Sequence, residues 1–599
     1  MKERSEDRLA DFTRDSHIIR LSLLAIVVGA MSAFVAAALV WLINLITNLA
    51  FFQVVSGEFH SPADNHLRWL VILVPAAGGL IIGLMARYGS DKIRGHGIPE
   101  ALEAILYGNS KMDPKVAILK PISSAISIGT GGPFGAEGPI IMTGGALGSL
   151  FAQFFHLSSA ERKTLLVAGA AGGMSAIFAT PIAAVLLAVE LLLFEWKPRS
   201  FIPVAFASIV AGILRVPLLG AGPIFPMASL GPPQFGITAA ALIVGLIAGA
   251  GSTLLTILVY WFEDLFSKLP IHWMWWPVLG GLGVGIGGMF DPRILGVGYD
   301  IIRSLLRGEV IGGLLISLLI GKALVWSFSL GSGTSGGVLA PLLIIGGALG
   351  ALESQWIPVG DPGLWALVGM AAIMGGTMRS PLTGIMFAFE LTHQVNLLPA
   401  LLVSCIAAYA FTVLVLRRSI LTEKVARRGF HISREYAVDP LDALRVENVM
   451  DREIQSVDPE MKVSELSDRI AAHDARFTRH HGLLILDGSG NLVGIVTRGD
   501  IMRSLQRGGD ETVIDAGTRE LIVIYPDDVL SEAAHRMVSG DVGRLPVVSR
   551  ENPHHALGYL GRPSLLAARR LRMAEEHERE TRWMVSKFLP GTSKPAVQK

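Results

Sequence analysis

Charge is what this 599-residue chain has least of. Asp, Glu, Lys and Arg make up only 17% of it, while 51% is hydrophobic; soluble domains carry about a quarter charged residues. No charged residue occurs from Leu21 to Ala50, and Arg215 is the single formal charge between Phe201 and Phe262. Those gaps exclude a soluble globular protein and are long enough to cross a bilayer. Cysteine is nearly absent too: Cys405 stands alone, which excludes an intramolecular disulfide and reads as a small core residue. HExxH, GxSxG and P-loop patterns are missing, and no metal-ligand spacing appears, so neither an enzyme nor a metal centre is expected. A net charge of +1 offers no surplus for nucleic acid. The basic stretches of the tail read as a solvated face. The first apolar run is too long for a cleaved signal core and is expected to remain as the first membrane helix.

Glycine is what the chain has in abundance, 67 residues in all. The stretch from Gly131 to Leu150 sets one carboxylate, Glu137, among glycine, proline and apolar residues, with no Lys or Arg between Lys120 and Arg162. An ionisable group at membrane depth is costly and points to function. Gly135, Gly138 and Pro139 suit a tight turn opening a helix. A helix start there aims unpaired N–H groups and a positive dipole end at its contents, which favours an anion. The stretch therefore reads as an anion site with a carboxylate able to compete for it.

A second set of apolar segments repeats the first. Gly135, Pro139 and Gly144-Gly145-Ala146-Leu147-Gly148 recur 202 residues later (337 − 135 = 202) as Gly337, Pro341 and Gly346-Gly347-Ala348-Leu349-Gly350. Lys120 recurs as Lys322. At a shift of 200, Gly169, Pro181 and Glu190 recur as Gly369, Pro381 and Glu390. Duplicated, interrupted apolar segments mark transporter folds in which broken helices meet mid-membrane. Parallel and inverted halves stay open on this evidence.

Three segments carry a resemblance to a known family: Gly95-His96-Gly97-Ile98-Pro99, Gly135-Ala136-Glu137-Gly138-Pro139 and Gly337-Val338-Leu339-Ala340-Pro341. They resemble the anion-site motifs of the CLC family of chloride channels and proton/chloride antiporters. The resemblance runs from about 20 to 420. It implies a polytopic all-α membrane fold, an inverted repeat of broken helices with halves at about 18–219 and 237–420. It also implies a homodimer with one pathway per subunit, Glu137 as the gate, and an anion held at His96, Gly97, Ile98, Gly138, Val338 and Leu339. Two side-chain donors of the family pattern differ: His96 replaces the usual serine, and Leu421 stands where a tyrosine is usual. Backbone amides at Ile98, Val338 and Leu339 are independent of side-chain type, and His96 offers a ring N–H. Leu339 replaces the third motif's usual phenylalanine. Glu190 is a candidate for the proton path, although its recurrence as Glu390 favours a structural role. Its neighbour Leu191 stands where family antiporters usually carry a second acid, which tilts the reading towards a channel.

After about Arg428 the composition turns soluble. Two units, 446–505 and 517–566, each run from an extended piece through an amphipathic helix to strand, turn and strand. They resemble a cytoplasmic α/β CBS-domain pair, a module that often binds adenine nucleotides. Thr497 and Asp500 match its nucleotide signature, whereas Gly561 and Ser564 of the second unit do not. A charged segment at 1–17 and a charged tail at 567–599 complete the chain, and basic residues at both ends place both termini in the cytoplasm. The expectation is a multi-pass protein of the inner or plasma membrane, a voltage- or pH-gated chloride channel regulated by its CBS pair. A proton-coupled anion antiporter is the alternative, and a CBS-bearing cation transporter a remote one. No cofactor is required for transport; an adenine nucleotide is the expected ligand of the CBS pair.

Overall fold

The computed structural model describes residues 17–227, 231, 235–429, 441, 444–478 and 482–566. The expected charged segments at 1–16 and 567–599 lie outside the described residues. The chain divides between Ile432 and Ser433 into two compact units.

The first unit is helical. Its elements are α1 (His17–Thr47), α2 (Leu73–Tyr88), α3 (Ile98–Leu106), α4 (Pro114–Gly129), α5 (Glu137–Ala152), α6 (Ser159–Phe178), α7 (Pro181–Leu187) and α8 (Pro198–Leu219). After the Gly/Pro-rich connector come α9 (Phe235–Ser267), α10 (Trp276–Phe290), α11 (Tyr299–Leu306), α12 (Gly313–Ile316), α13 (Lys322–Gly331) and α14 (Leu339–Glu353). The unit ends with α15 (Pro362–Met378), α16 (Pro381–Thr392), α17 (Leu398–Val415) and α18 (Ile420–Arg427). Among the described residues six helices are long and apolar enough to span a membrane, and four more are apolar but shorter. This is a polytopic membrane protein.

Helix length follows the glycines and prolines. Proline opens α4, α7, α8, α15 and α16, where its missing N–H costs nothing. Pairs of glycines let α5 meet α6 and α14 meet α15 backbone to backbone. A methyl on Gly144 or Gly169 would strike the other's carbonyl, and Gly346 and Gly369 stand in the same relation.

The halves are related by a local two-fold axis. Gly135 pairs antiparallel with Gly337, its own repeat equivalent: Gly337 N donates to Gly135 O at 2.9 Å and Gly135 N to Gly337 O at 3.4 Å. Such self-equivalent pairing is the signature of a dyad. A dyad lying in the membrane plane gives the inverted arrangement that the resemblance implies. The two glutamates repeat the relation. Glu190 accepts from Leu382 N and Thr383 N at the start of α16, and Glu390 accepts from Ile182 N and Ala183 N at the start of α7. Each half's carboxylate thus caps the other half's helix.

The second unit holds two similar modules. In the first, β1 (Ser456–Val457) runs parallel to β2 (Gly482–Leu486), which pairs antiparallel with β3 (Leu492–Thr497). Helices α19 (Val463–Ala471), α20 (Ala475–Thr478) and α21 (Arg498–Gln506) accompany them. The second begins with α22 (Val513–Ala516). Then α23 (Leu530–Ser539) precedes the hairpin of β4 (Arg544–Val548) and β5 (Ala556–Gly561), with a parallel bridge from Ile524 to Val547. Leu484 and Leu492 of the first module pack with Val548 and Tyr559 of the second in one apolar cluster.

Two buried lysines hold the short loops of the membrane unit. Lys120 Nζ donates to Ile93 O (2.8 Å), Gly95 O (2.6 Å) and Ser335 Oγ (3.0 Å). Lys322 Nζ donates to Ile294 O (2.7 Å) and Gly296 O (3.0 Å). Both are fully buried. Replacing Lys120 by Met leaves two enclosed carbonyls unpaired, a cost of about 3 kcal/mol. The expected outcome is a thermal inactivation midpoint in detergent several degrees below wild type; an unchanged midpoint contradicts the brace.

Candidate anion pathway

The site is assembled from three helix starts. Gly97, with φ 88°, turns the chain into α3; glycine is the residue that adopts this left-handed conformation without strain. Ala136 precedes α5, and Val338 precedes α14. A methyl at Gly138 would strike the His96 carbonyl and lie 3.2 Å from the Gly337 Cα, so α3, α5 and α14 begin in contact. Gly336 N, just ahead of α14, donates to Gly95 O at 3.4 Å. His96, Gly97, Ile98, Glu137, Gly138, Val338 and Leu339 are therefore all brought together and buried.

Glu137 sets a carboxylate among these helix starts. Its Oε1 accepts from Ala340 N at 3.0 Å, one of the first-turn amides of α14 that no helix carbonyl reaches. Its Oε2 has no hydrogen-bond partner, and the residue is wholly buried. Carboxylate and halide would draw on the same backbone donors, so occupation by one excludes the other.

Two cavities reach residues next to these helix starts. One, of about 340 Å³, is lined by Gly95, His96 and Gly333 and by Arg94, Lys424, Arg427 and Arg428, with Asp91 and Glu263 as its carboxylates. The other, of about 230 Å³, is lined by Ala136, Tyr299, Asn44, Thr47, His60 and Asp300. The first carries more positive than negative side chains, which raises the local concentration of anions. Its wall is braced by ion pairs between α3 and the end of the membrane unit: Glu100 with Lys424 (3.0 Å) and Arg428 (2.9 Å), and Glu103 with Arg428 (2.6 Å).

The match with known proteins follows this geometry. Residues 78–413 match the voltage gated chloride channel family, and residues 446–507 and 513–570 each match the CBS domain. The chain belongs to the CLC family. It is 31% identical over 427 residues to the voltage-gated ClC-type chloride channel ClcB of Escherichia coli, covering 69% of this chain and all of that one. Two solved structures share the fold with a TM-score of 0.61. One, a slow cyanobacterial Cl−/H+ antiporter, is 24% identical and covers 68% of this chain and 98% of its own. The other, a eukaryotic CLC transporter, is 19% identical and covers 92% and 98%. The protein is an anion transporter of the CLC type bearing a CBS pair.

The remaining candidates are engaged within their own units. Glu190 spends both oxygens on α16, accepting from Leu382 N (3.1 Å), Thr383 N (2.8 Å) and Thr383 Oγ1 (2.6 Å). Leu191 lies fully buried in the π-helical turn Ala188–Leu193. Thr497 caps α21: Thr497 N and Oγ1 donate to Asp500 Oδ2 at 2.8 and 2.6 Å, and Arg503 pairs with the other oxygen. Leu421 is fully buried in α18 and has no hydrogen to donate.

Two features escape the sequence reading. Lys120, noticed only as a repeat landmark, lies beside the first motif, its Cε 3.1 Å from where a Gly97 methyl would be. The first motif also has a repeat partner: Gly296-Val297-Gly298-Tyr299 follows Gly95-His96-Gly97-Ile98 by 296 − 95 = 201 residues. Gly298, with φ 77°, opens α11 as Gly97 opens α3, and Lys322 holds that loop as Lys120 holds the first. The signal was a Gly-x-Gly at the repeat spacing, hidden because the flanking residues differ.

His96 is almost fully buried, and its Nδ1 has no hydrogen-bond partner. Restoring the hydroxyl with His96→Ser is expected to raise chloride affinity several-fold relative to nitrate, fluoride and bicarbonate, the worth of about one hydrogen bond. Competition fluxes in proteoliposomes check this, and an unaltered order of anions rejects a selectivity role for the ring.

Proposed function

We propose that this protein is a gated channel for small anions, chloride first among them, with the Glu137 carboxylate as its plug. One observation carries the reading: the fully buried carboxylate takes an α14 amide, while one cavity reaches His96 of the first motif and another reaches Ala136 beside Glu137. His96, Gly97, Ile98, Gly138, Val338 and Leu339 form the anion seat, chiefly through main-chain donors, with the buried Lys120 adding positive charge beneath it. Protonation of Glu137 or displacement by an anion opens the path. The slower alternative, proton-coupled anion exchange, gains support from the cyanobacterial Cl−/H+ antiporter of the same fold.

The channel reading rests on how the acids beyond Glu137 are engaged. Glu190 is a helix cap, and Leu191 has no proton to relay. Glu195 accepts from Ser200 Oγ at 2.6 Å and lies 3.0 Å from Lys197 and 3.8 Å from Lys163. Burial pushes its carboxyl up, but Lys163, Ser200 and Lys197 outweigh this and hold it below the ordinary range, so it stays ionised. We place both termini in the cytoplasm, the basic cavity beside α18 on that side, and two such chains in a homodimer. The CBS pair is read as a regulatory module that takes one adenine nucleotide at Thr497 and Asp500.

Glu137→Ala removes the competitor for the α14 amides. Anion flux near pH 7 is expected to rise and to lose its pH dependence, measured in proteoliposomes with anion and pH electrodes together. Stoichiometric proton movement in the wild type would decide for exchange instead; an unchanged pH profile in the variant would remove Glu137 from gating. For the CBS pair, titration calorimetry of the whole protein with ATP or AMP is expected to give one site per chain. Asp500→Ala should weaken it at least about tenfold, on the scale of a hydrogen bond to a charged group. Equal binding by wild type and variant excludes the Asp500 site.

A further inference from the structure

Two enclosed polar atoms near the gate complement one another. Oε2 of Glu137 is an acceptor without a donor, and the Tyr299 hydroxyl is a donor without an acceptor. Tyr299 begins α11 directly after Gly298 and lines the cavity that reaches Ala136, the residue before Glu137. Its ring is fixed edge-on by Phe178 (centroids 6.4 Å apart) and Phe225 (5.8 Å).

An unpaired buried hydroxyl costs about 1–3 kcal/mol. A second arrangement, in which the hydroxyl is bonded, accounts for its place here. In the present arrangement Glu137 blocks the α14 amides through Oε1, so an anion gains them only after the carboxylate has moved. On the Ala136 side Tyr299 is part of the cavity wall, with its hydroxyl enclosed behind the surface. We propose that this hydroxyl receives the Glu137 carboxylate when it leaves the α14 amides, which makes Tyr299 the positioning residue of the open gate. The O–H donates to a carboxylate oxygen, and no proton is transferred.

The other charged groups around the gate are engaged or lie elsewhere. Lys322 serves the carbonyls of Ile294 and Gly296, and Asp300 accepts from Ser61 Oγ at 2.7 Å. Lys120 serves Ile93, Gly95 and Ser335. His60 is exposed in the cavity on the Tyr299 side, and His96 lines the opposite cavity. The inference rests on Glu137 being the gate and adds the partner that holds it open.

Tyr299→Phe deletes the hydroxyl and keeps the ring, so the aromatic packing and the fold are retained. The experiment compares anion flux against pH in proteoliposomes for wild type, Tyr299→Phe, Glu137→Ala and the double variant. With Tyr299→Phe, flux at about pH 7.5 is expected to fall about tenfold, the worth of a hydrogen bond to a charged group. At about pH 4, where the carboxyl is largely protonated and no longer needs a donor, flux should stay within about twofold of wild type. In the Glu137→Ala background the same substitution should change nothing. A loss of equal size at both pH values, or one that persists in the double variant, overturns the role of Tyr299 while leaving the gate intact. If Glu137→Ala alone leaves the pH profile unchanged, the gate and its partner both fall.

Discussion

Everything in the membrane unit depends on amides that end where no water can reach them. A helix start inside a bilayer leaves its first N–H groups without partners, and each unpaired group there costs several kcal/mol. Here α3, α5 and α14 all begin in one small volume, kept together by glycines whose lack of side chains permits contact. In the structure the carboxylate of Glu137 meets part of the deficit at Ala340 N. The proposed pathway rests on an anion taking the same place, which needs no side-chain donor.

The same deficit recurs at other broken helices, each time met by a side chain from elsewhere in the duplicated fold. Glu190 and Glu390 exchange caps between halves. Lys120 and Lys322 each satisfy two carbonyls of the loop that opens a short helix. Since Gly135 and Gly337 pair across the dyad, a substitution at any of these positions disturbs both repeats. Among the described residues Lys120, Lys322, Glu190 and Glu390 are committed to the backbone, whereas Glu137 keeps one oxygen without a hydrogen bond, as does Glu100, and Glu353 keeps two.

The departures from the family pattern fall on the parts that the backbone makes dispensable. Leu421 cannot donate, and His96 is a buried ring whose Nδ1 lacks a partner. The proposed seat is built from amides, so on that reading anion binding survives both changes while preference among anions is free to shift. Tyr299 opens α11 and lines the cavity that reaches Ala136. Nothing near Tyr299 in sequence points to Glu137, because the two lie 162 residues apart (299 − 137 = 162).

Apolar runs and the duplicated glycine and proline landmarks determined the class of protein and its membrane embedding, because these depend on composition and local turn chemistry, while the three short motifs singled out residues that the structure brings together at helix starts. Two modules of strand and helix were legible after Arg428 for the same reason. Long-range pairing was not. That Gly135 meets Gly337 antiparallel, that Glu190 caps the opposite half and that Lys120 props the first motif all join residues about 25 to 200 positions apart. Only the packed tertiary structure decides such contacts, since a repeat specifies which residues are equivalent but not the symmetry axis that brings them together.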